Sequence, residues 1–479
     1  MDEDFDRSVV LAFRRFLEYV VHRVRPEDTE PLTPLGLRIA EHLGTDPRQL
    51  AMTAERFAPH RLVDLDRAFA ALAADGDVLL GVSGGQNRSM PTFSEMVDYP
   101  HFPFGLGPVD YVTQQTGHDT TTQAVQIGLR LVRHRGAPLA VLQRAADPTA
   151  GSDALTVEVL GGDTALVSDF LDSLRAKMRE HSILRGAVLV MGQPGSPATR
   201  FLPRPAVAAE EVVLPEGVLD VVVGHVLGIG EQREALRAAG QHLKRGVLLY
   251  GPPGTGKTLT VRHLVGRAVD ATVIVLGGAG IEHIDAAAQL ARTFQPALVV
   301  LEDIDLVAAE RSSFPQPLLF RVLDAIDGLD GDADIAFIMT TNRVDVMERA
   351  LVQRPGRVDL AVEIPLPALP ERRRLFRRYA AALPLTEEAL DRAAERAQGT
   401  TGSFAKELVR RAVLAASAEG RPVADLDVER ALDALLDDRE ALTRNMLGSA
   451  AAPGSPPSRE DALAFDFEPL PPVAGSAEG

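Results

Sequence analysis

The stretch Gly251-Pro252-Pro253-Gly254-Thr255-Gly256-Lys257-Thr258 constrains the possible folds of this chain more than any other. It satisfies G-x-x-x-x-G-K-[ST] and directly follows the apolar run Val247 to Tyr250, so it predicts a tight turn between a buried strand and a helix opening at Lys257. Glycines here let the backbone curl until successive N–H groups face one point, and the helix aims its positive end at the same place. Such a cradle suits phosphate. Lys257 would then bridge β- and γ-phosphates, and Thr258 would ligate Mg²⁺.

The surrounding sequence alternates strand and helix: strands at Gly246 to Tyr250, Thr272 to Leu276, Ala297 to Leu301 and Ile335 to Thr340, with helices from Lys257 and near Ala286 to Thr293 and Leu318 to Ile326. That order specifies an α/β domain with a mostly parallel sheet flanked by helices. The strand Leu298 to Leu301 ends in Glu302-Asp303-Ile304-Asp305. A buried parallel strand reads as continuous apolar residues, and its C-terminal end opens into the crevice where ligands of such sheets bind. Acids there stand where one can face Mg²⁺ and another an attacking water.

With these residues and Thr340 to Asp359, TTNRVDVMERALVQRPGRVD, the chain resembles the AAA ATPase family of the AAA+ P-loop NTPases, in a bacterial-type form with a divergent N-terminal domain. The resemblance implies ATP as substrate, with Gly251 to Thr258 holding its phosphates. It makes Glu302 the magnesium-side acid, Asp303 the catalytic base, Asn342 the residue that orients water, and Arg354 and Arg357 the fingers reaching into a neighbouring subunit. Fingers supplied in trans imply a homo-oligomeric ring, expected as a hexamer. The order Glu302-Asp303 inverts the family's usual Asp-Glu, and an acid one methylene shorter shifts where the water sits. Gly402, in Gly399 to Leu408, matches the lid segment that packs over the adenosine, and His225 to Ile229 matches the stretch that holds adenine by its backbone.

The expected organisation is an α+β N-terminal domain at 1–202, a Pro- and acid-rich linker at 203–217, an α/β core at 218–367, a helical lid at 368–447 and a disordered tail at 448–479. In the first of these, helices are predicted at Phe5 to Val24, Leu35 to Leu43, His60 to Ala74 and Thr164 to His181. Strands are predicted at Asp77 to Val82, Leu139 to Leu142, Leu155 to Leu160 and Ala187 to Met191. The Gly84-Gly85 pair reads first as a turn and second as an anion cradle, and the cluster Tyr99, His101, Phe102, Phe104, Tyr111, His118 and Asp119 first as loop residues and second as a metal or ligand site. Phe465 to Leu470 reads first as plain solvated tail and second as a short docking motif.

A net charge of −17 disfavours nucleic acid as a partner, and the absence of Cys excludes disulfides and thiolate metal sites. No apolar run reaches the ~20 residues of a membrane helix, and the first residues are not a signal peptide, so a cytoplasmic protein is expected. Leu276-Gly277-Gly278-Ala279-Gly280-Ile281 stands where the family carries an aromatic pore loop, and the aromatic is missing; Ile281 is either a substitute or a packing residue. No H-E-x-x-H occurs, which sets aside the protease branch. The leading expectation is a remodeller of a protein or protein complex selected by the N-terminal domain; the second is a nucleotide-gated switch with slow turnover.

Overall fold

The computed structural model describes residues 32–84, 92–98, 104–191, 199–304, 321–322, 324–325, 328, 331–343 and 358–437. The helix expected at Phe5 to Val24, Gly85, Tyr99 to Phe102, most of Leu318 to Ile326, Asp305, Arg354, Arg357 and the tail with Phe465 to Leu470 lie outside them. The chain divides into two compact units, the first running to Ser182 apart from the short stretch Gln115–Thr121, which groups with the second, and the second continuing from Ile183.

In the first unit α1 (Pro34–Leu43) is capped at its start by Thr33, whose hydroxyl accepts from Gly36 N at 3.0 Å, and at its end by Gly44 at φ 72°. It is followed by β1 (Met52–Phe57), α2 (Leu62–Leu72), β2 (Val78–Ser83), α3 (Phe93–Asp98), β3 (Gly105–Gly107), β4 (Asp110–Gln115), β5 (Thr121–His134), β6 (Ala137–Arg144), β7 (Leu155–Leu160) and α4 (Thr164–Glu180). The strands form one sheet in the order β1-β7-β6-β5-β2-β3, with β4 paired to β5. β5 and β6 join through Arg135-Gly136, both at positive φ as a two-residue hairpin of this twist needs. The long β5 was not among the predicted strands, although Val125, Ile127, Leu129 and Leu131 alternate and are buried. Leu35, Ile39, Phe93, Met96, Phe104, Leu129 and Leu142 close a core over this sheet.

The second unit opens with β8 (Val188–Met191) and β9 (Thr199–Leu202), then α5 (Val218–Val223), α6 (Arg233–Ala238), β10 (Arg245–Tyr250), α7 (Lys257–Arg267), β11 (Thr272–Gly277), α8 (Ile284–Thr293), β12 (Ala297–Glu302), β13 (Ile335–Thr341) and β14 (Leu360–Glu363). The sheet runs β14-β10-β13-β12-β11-β8-β9, parallel except for the β8/β9 pair. Its strands read apolar throughout because both faces are covered. Val247, Leu249, Val261 and Leu264 pack on one face, and Leu248, Phe294, Phe337 and Met339 on the other.

Two expectations about boundaries are corrected. β8 and β9 do not belong to the N-terminal domain: Val188 pairs in parallel with Val273 of β11, and Leu202 with Val188, so the division expected after Leu202 falls after Ser182. A four-residue apolar strand looks the same in either domain, and only its pairing partner decides. Nor is 203–217 a free linker, since Val212 and Leu214 are buried in the core beside α7. After β14 come α9 (Leu369–Ala380), α10 (Glu387–Arg396), α11 (Gly402–Ala418) and α12 (Asp425–Leu436), which enclose Phe376, Leu390, Phe404, Leu408 and Leu432. Among the described residues no helix is long and apolar enough to cross a membrane.

At the base of β10, Arg245 is almost fully buried; Nη1 donates to Asp334 Oδ1 and to Leu243 O, and Nε to Val226 O, each at 2.8 Å. Removing one partner of such a pair strands a charge, whereas replacing both with apolar groups does not. Asp334→Ala is therefore expected to cost about 3–5 kcal/mol in denaturant unfolding of this unit, and Arg245→Met with Asp334→Leu far less; a cost for Asp334→Ala no greater than for the double variant contradicts this account.

Candidate functional site

β10 delivers the chain to Gly251, whose φ of 147° is open to glycine; a Cβ there would lie 2.1 Å from Ile364 O, in the residue that follows β14. Gly254 (φ 75°) and Gly256 (φ 111°) complete the curl. Thr255 Oγ1 donates to Pro252 O at 2.9 Å and braces the loop from within. Lys257, first residue of α7, is buried, and its Nζ donates to Gly251 O and Pro252 O at 2.8 Å each. Thr258 follows with its side chain exposed. The loop is thus a set of backbone amides at a helix start with a lysine folded over it, an arrangement suited to an anion.

The second arm comes from β12 and β13, which is the strand between β12 and β10. Glu302 ends β12, is buried, and its Oε1 has no hydrogen-bond partner. Burial, and then the Asp303 carboxylate, push its acid up to about 7, against the opposing charge of Arg262 on α7. Asp303 turns the chain at φ 48°, a region that Asp tolerates better than most residues. Its N–H donates to Thr340 Oγ1 at 3.0 Å, and Asn342 Nδ2 approaches its Oδ1 at 3.4 Å. So Glu302, Asp303 and Asn342 stand together, and Thr340, to which the sequence reading gives no site role, orients the acid's backbone. The signal for it was polarity at the end of an otherwise apolar strand. A buried carboxylate oxygen without a donor, next to a second carboxylate, fits a hard divalent cation, which takes oxygen ligands.

The lid reaches the same loop. Ser403 N donates to Gly254 O at 3.3 Å, and a Cβ on Gly402 would stand 3.4 Å from that oxygen, an ordinary contact, so Gly402 lies against the loop without a side chain being excluded there. His225 lies in a π-turn over Gly224–Gly228 with its Nε2 buried and unbonded. Burial lowers its basicity, and the nearby Asp359 acts the other way. Ile281, by contrast, is 1% exposed in the core with Ile284 and Phe294, which settles it as a packing residue.

Residues 247–366 match the family described as "ATPase family associated with various cellular activities (AAA)". The chain carries an AAA ATPase domain. Over 259 residues it is 32% identical to the ATP-dependent zinc metalloprotease FtsH 2 of Sphaerobacter thermophilus, covering 51% of this chain and 39% of that protein. It is 29% identical over 254 residues to the proteasome-activating nucleotidase of Archaeoglobus fulgidus, covering 49% and 63%. With the 26S proteasome regulatory subunit 10B homolog A of Arabidopsis thaliana it shares 31% over 239 residues, covering 44% and 59%. The chain therefore spans between 39% and 63% of the length of these three relatives. The sequence contains no H-E-x-x-H, and among the described residues no group of three or more His, Asp or Glu could hold a metal.

Glu302 also makes the AAA domain's stability depend on pH. Because its folded acid titrates near 7 and its unfolded one near 4.5, the folded state binds more protons between those values, and stability falls as pH rises through them. In chelator-containing buffer, Glu302→Gln is expected to gain on the wild type by about 2 kcal/mol between pH 5.5 and 8. A gap in unfolding free energy that does not change with pH would contradict the buried, unpaired placement of this carboxylate.

Proposed function

We propose that this chain is an ATP hydrolase which binds MgATP at the loop 251–258 and couples hydrolysis, in a homo-oligomeric and hexameric ring, to remodelling of a protein or protein complex. The observation that carries the reading is the pairing of a curled glycine loop under Lys257 with a buried, unpaired carboxylate at the end of β12. Gly251 to Gly256 offer amides to the phosphates, Lys257 lies between β- and γ-phosphate oxygens, and Gly402 closes the lid over the adenosine. Thr258 and Glu302 would hold Mg²⁺, which when bound neutralises charge on the phosphate oxygens. Asp303 accepts the proton of the water that attacks the γ-phosphorus while the bond to ADP breaks, and Asn342 orients that water. Arg354 and Arg357 stabilise the developing charge in the adjoining subunit's site.

The names of the relatives, an activating nucleotidase and a regulatory subunit of the proteasome, support a protein client, selected here by the unit that ends at Ser182. The acidic balance argues against nucleic acid, and a cytoplasmic setting accords with these readings. A second reading, a nucleotide-gated switch with slow turnover, is favoured by one observation: the residue at the pore-loop position, Ile281, is buried in the core and offers no grip.

Lys257→Ala is expected to lose nucleotide binding in calorimetry; retained affinity would remove the loop from the mechanism. Asp303→Asn should still bind MgATP while turnover falls roughly 100-fold or more, and a tagged form held in MgATP, not MgADP, should retain a distinct protein identified by mass spectrometry. Recovery of the chain alone in both nucleotides favours the switch. Arg354→Ala should abolish the rise of specific activity with protein concentration; unchanged turnover and concentration dependence would overturn the ring.

A further inference from the structure

Residues 204–214 run antiparallel along α7, the helix that Lys257 opens. Arg204 stands at the helix's C-terminal end: its Nη1 donates to Val265 O at 2.7 Å and Ala268 O at 2.8 Å, and its Nη2 to Gly186 O at 2.8 Å and Ala271 O at 3.0 Å. Next, Pro205 O crosses so close to Gly266 that a Cβ there would lie 2.5 Å away. Val207 O meets His263 Nδ1 at 2.7 Å. At the far end the Leu214 side chain lies 3.8 Å from where a Cβ of Gly256 would be, its carbonyl accepts from Arg374 Nη2 at 2.6 Å, and Glu211 pairs with Arg378, both arginines on lid helix α9.

We propose that Arg204 is a positioning residue of the phosphate site: by clamping the C-terminal end of α7 to the chain entering the second unit at Gly186, it sets where the N-terminal end of that helix stands against the phosphates. The inference rests on the nucleotide-binding reading above. An eleven-residue helix is a rod of about 16 Å, so a slip at one end is delivered to the other. The last carbonyls of a helix have no partner within it and carry the negative end of its dipole, which suits a cation. A planar guanidinium spans four separated carbonyls in a way the single ammonium of Lys does not. Gly266 is the counterpart on the helix, since any side chain there pushes the Arg204-Pro205 segment away.

The test is the full-length chain as wild type, Arg204→Lys and Gly266→Ala, each measured for thermal midpoint, ADP affinity by calorimetry with Mg²⁺, and KM and kcat for ATP. Loss of phosphate contacts common to ground and transition states raises KM and leaves kcat, so we expect ADP affinity to fall and KM to rise roughly tenfold, with kcat within about a factor of two. Gly266→Ala disturbs the contact from the helix side while favouring helix formation, which separates positioning from stability. If both variants melt lower yet bind ADP as the wild type does, Arg204 is a structural clamp only and the proposal is wrong. Wild type that binds no ADP overturns the nucleotide reading and this inference with it; wild type that binds alongside equally tight variants overturns the inference alone.

Discussion

Everything at the candidate site depends on the parallel register of β10, β13 and β12. Pairing Tyr250 with Thr341, and Leu301 with Met339, brings the ends of three strands to one edge of the sheet. From that edge β10 continues into the glycine loop, β12 into Glu302 and Asp303, and β13 into Asn342. A one-residue slip in either pairing would invert the faces of a strand buried on both sides, so the same apolar packing that stabilises the sheet also fixes the spacing of the polar groups at its rim. The close approach of Gly251 to Ile364 O extends this to the fourth strand, β14, and allows no side chain there.

The rim is costly to assemble. Glu302 is held dry without a hydrogen-bond donor, Asp303 lies at positive φ, and Lys257 is buried against backbone carbonyls. Each is unfavourable to an isolated fold, and together they form two complementary parts, an amide cradle under a cation and a carboxylate pair. Groups of this kind persist where the surrounding structure over-determines them. Here the apolar strands behind and residues 204–214 along α7 do so.

The two β-strands ahead of residues 204–214 belong to the second unit's own sheet. β8 pairs with β11, which in turn lies beside the acid-bearing β12, and residues 204–214 then follow α7 to the lid. Within the second unit, the described residues of 183–214 are therefore paired and packed and do not form a free linker. This distinguishes the segment from the spacer that its composition suggests, and it places lid, α7 and sheet edge in one continuous set of contacts within the second unit.

The sequence by itself determined the α/β alternation, the loop 251–258, the acid pair at 302–303, Asn342 and the helical character of the segment after Pro367. These are local: a motif of fixed spacing, an apolar run or a helical period carries its own geometry. Tertiary structure alone decided that Val188–Met191 and Thr199–Leu202 join the second sheet, that residues 204–214 bind α7, that Thr340 holds Asp303 and that Ile281 packs inside. A short apolar strand does not reveal its neighbour, and a proline-rich stretch with one arginine resembles any spacer until its donors meet the carbonyls at a helix end. Partners far apart along the chain are chosen by the shape of the completed core, which no local pattern encodes.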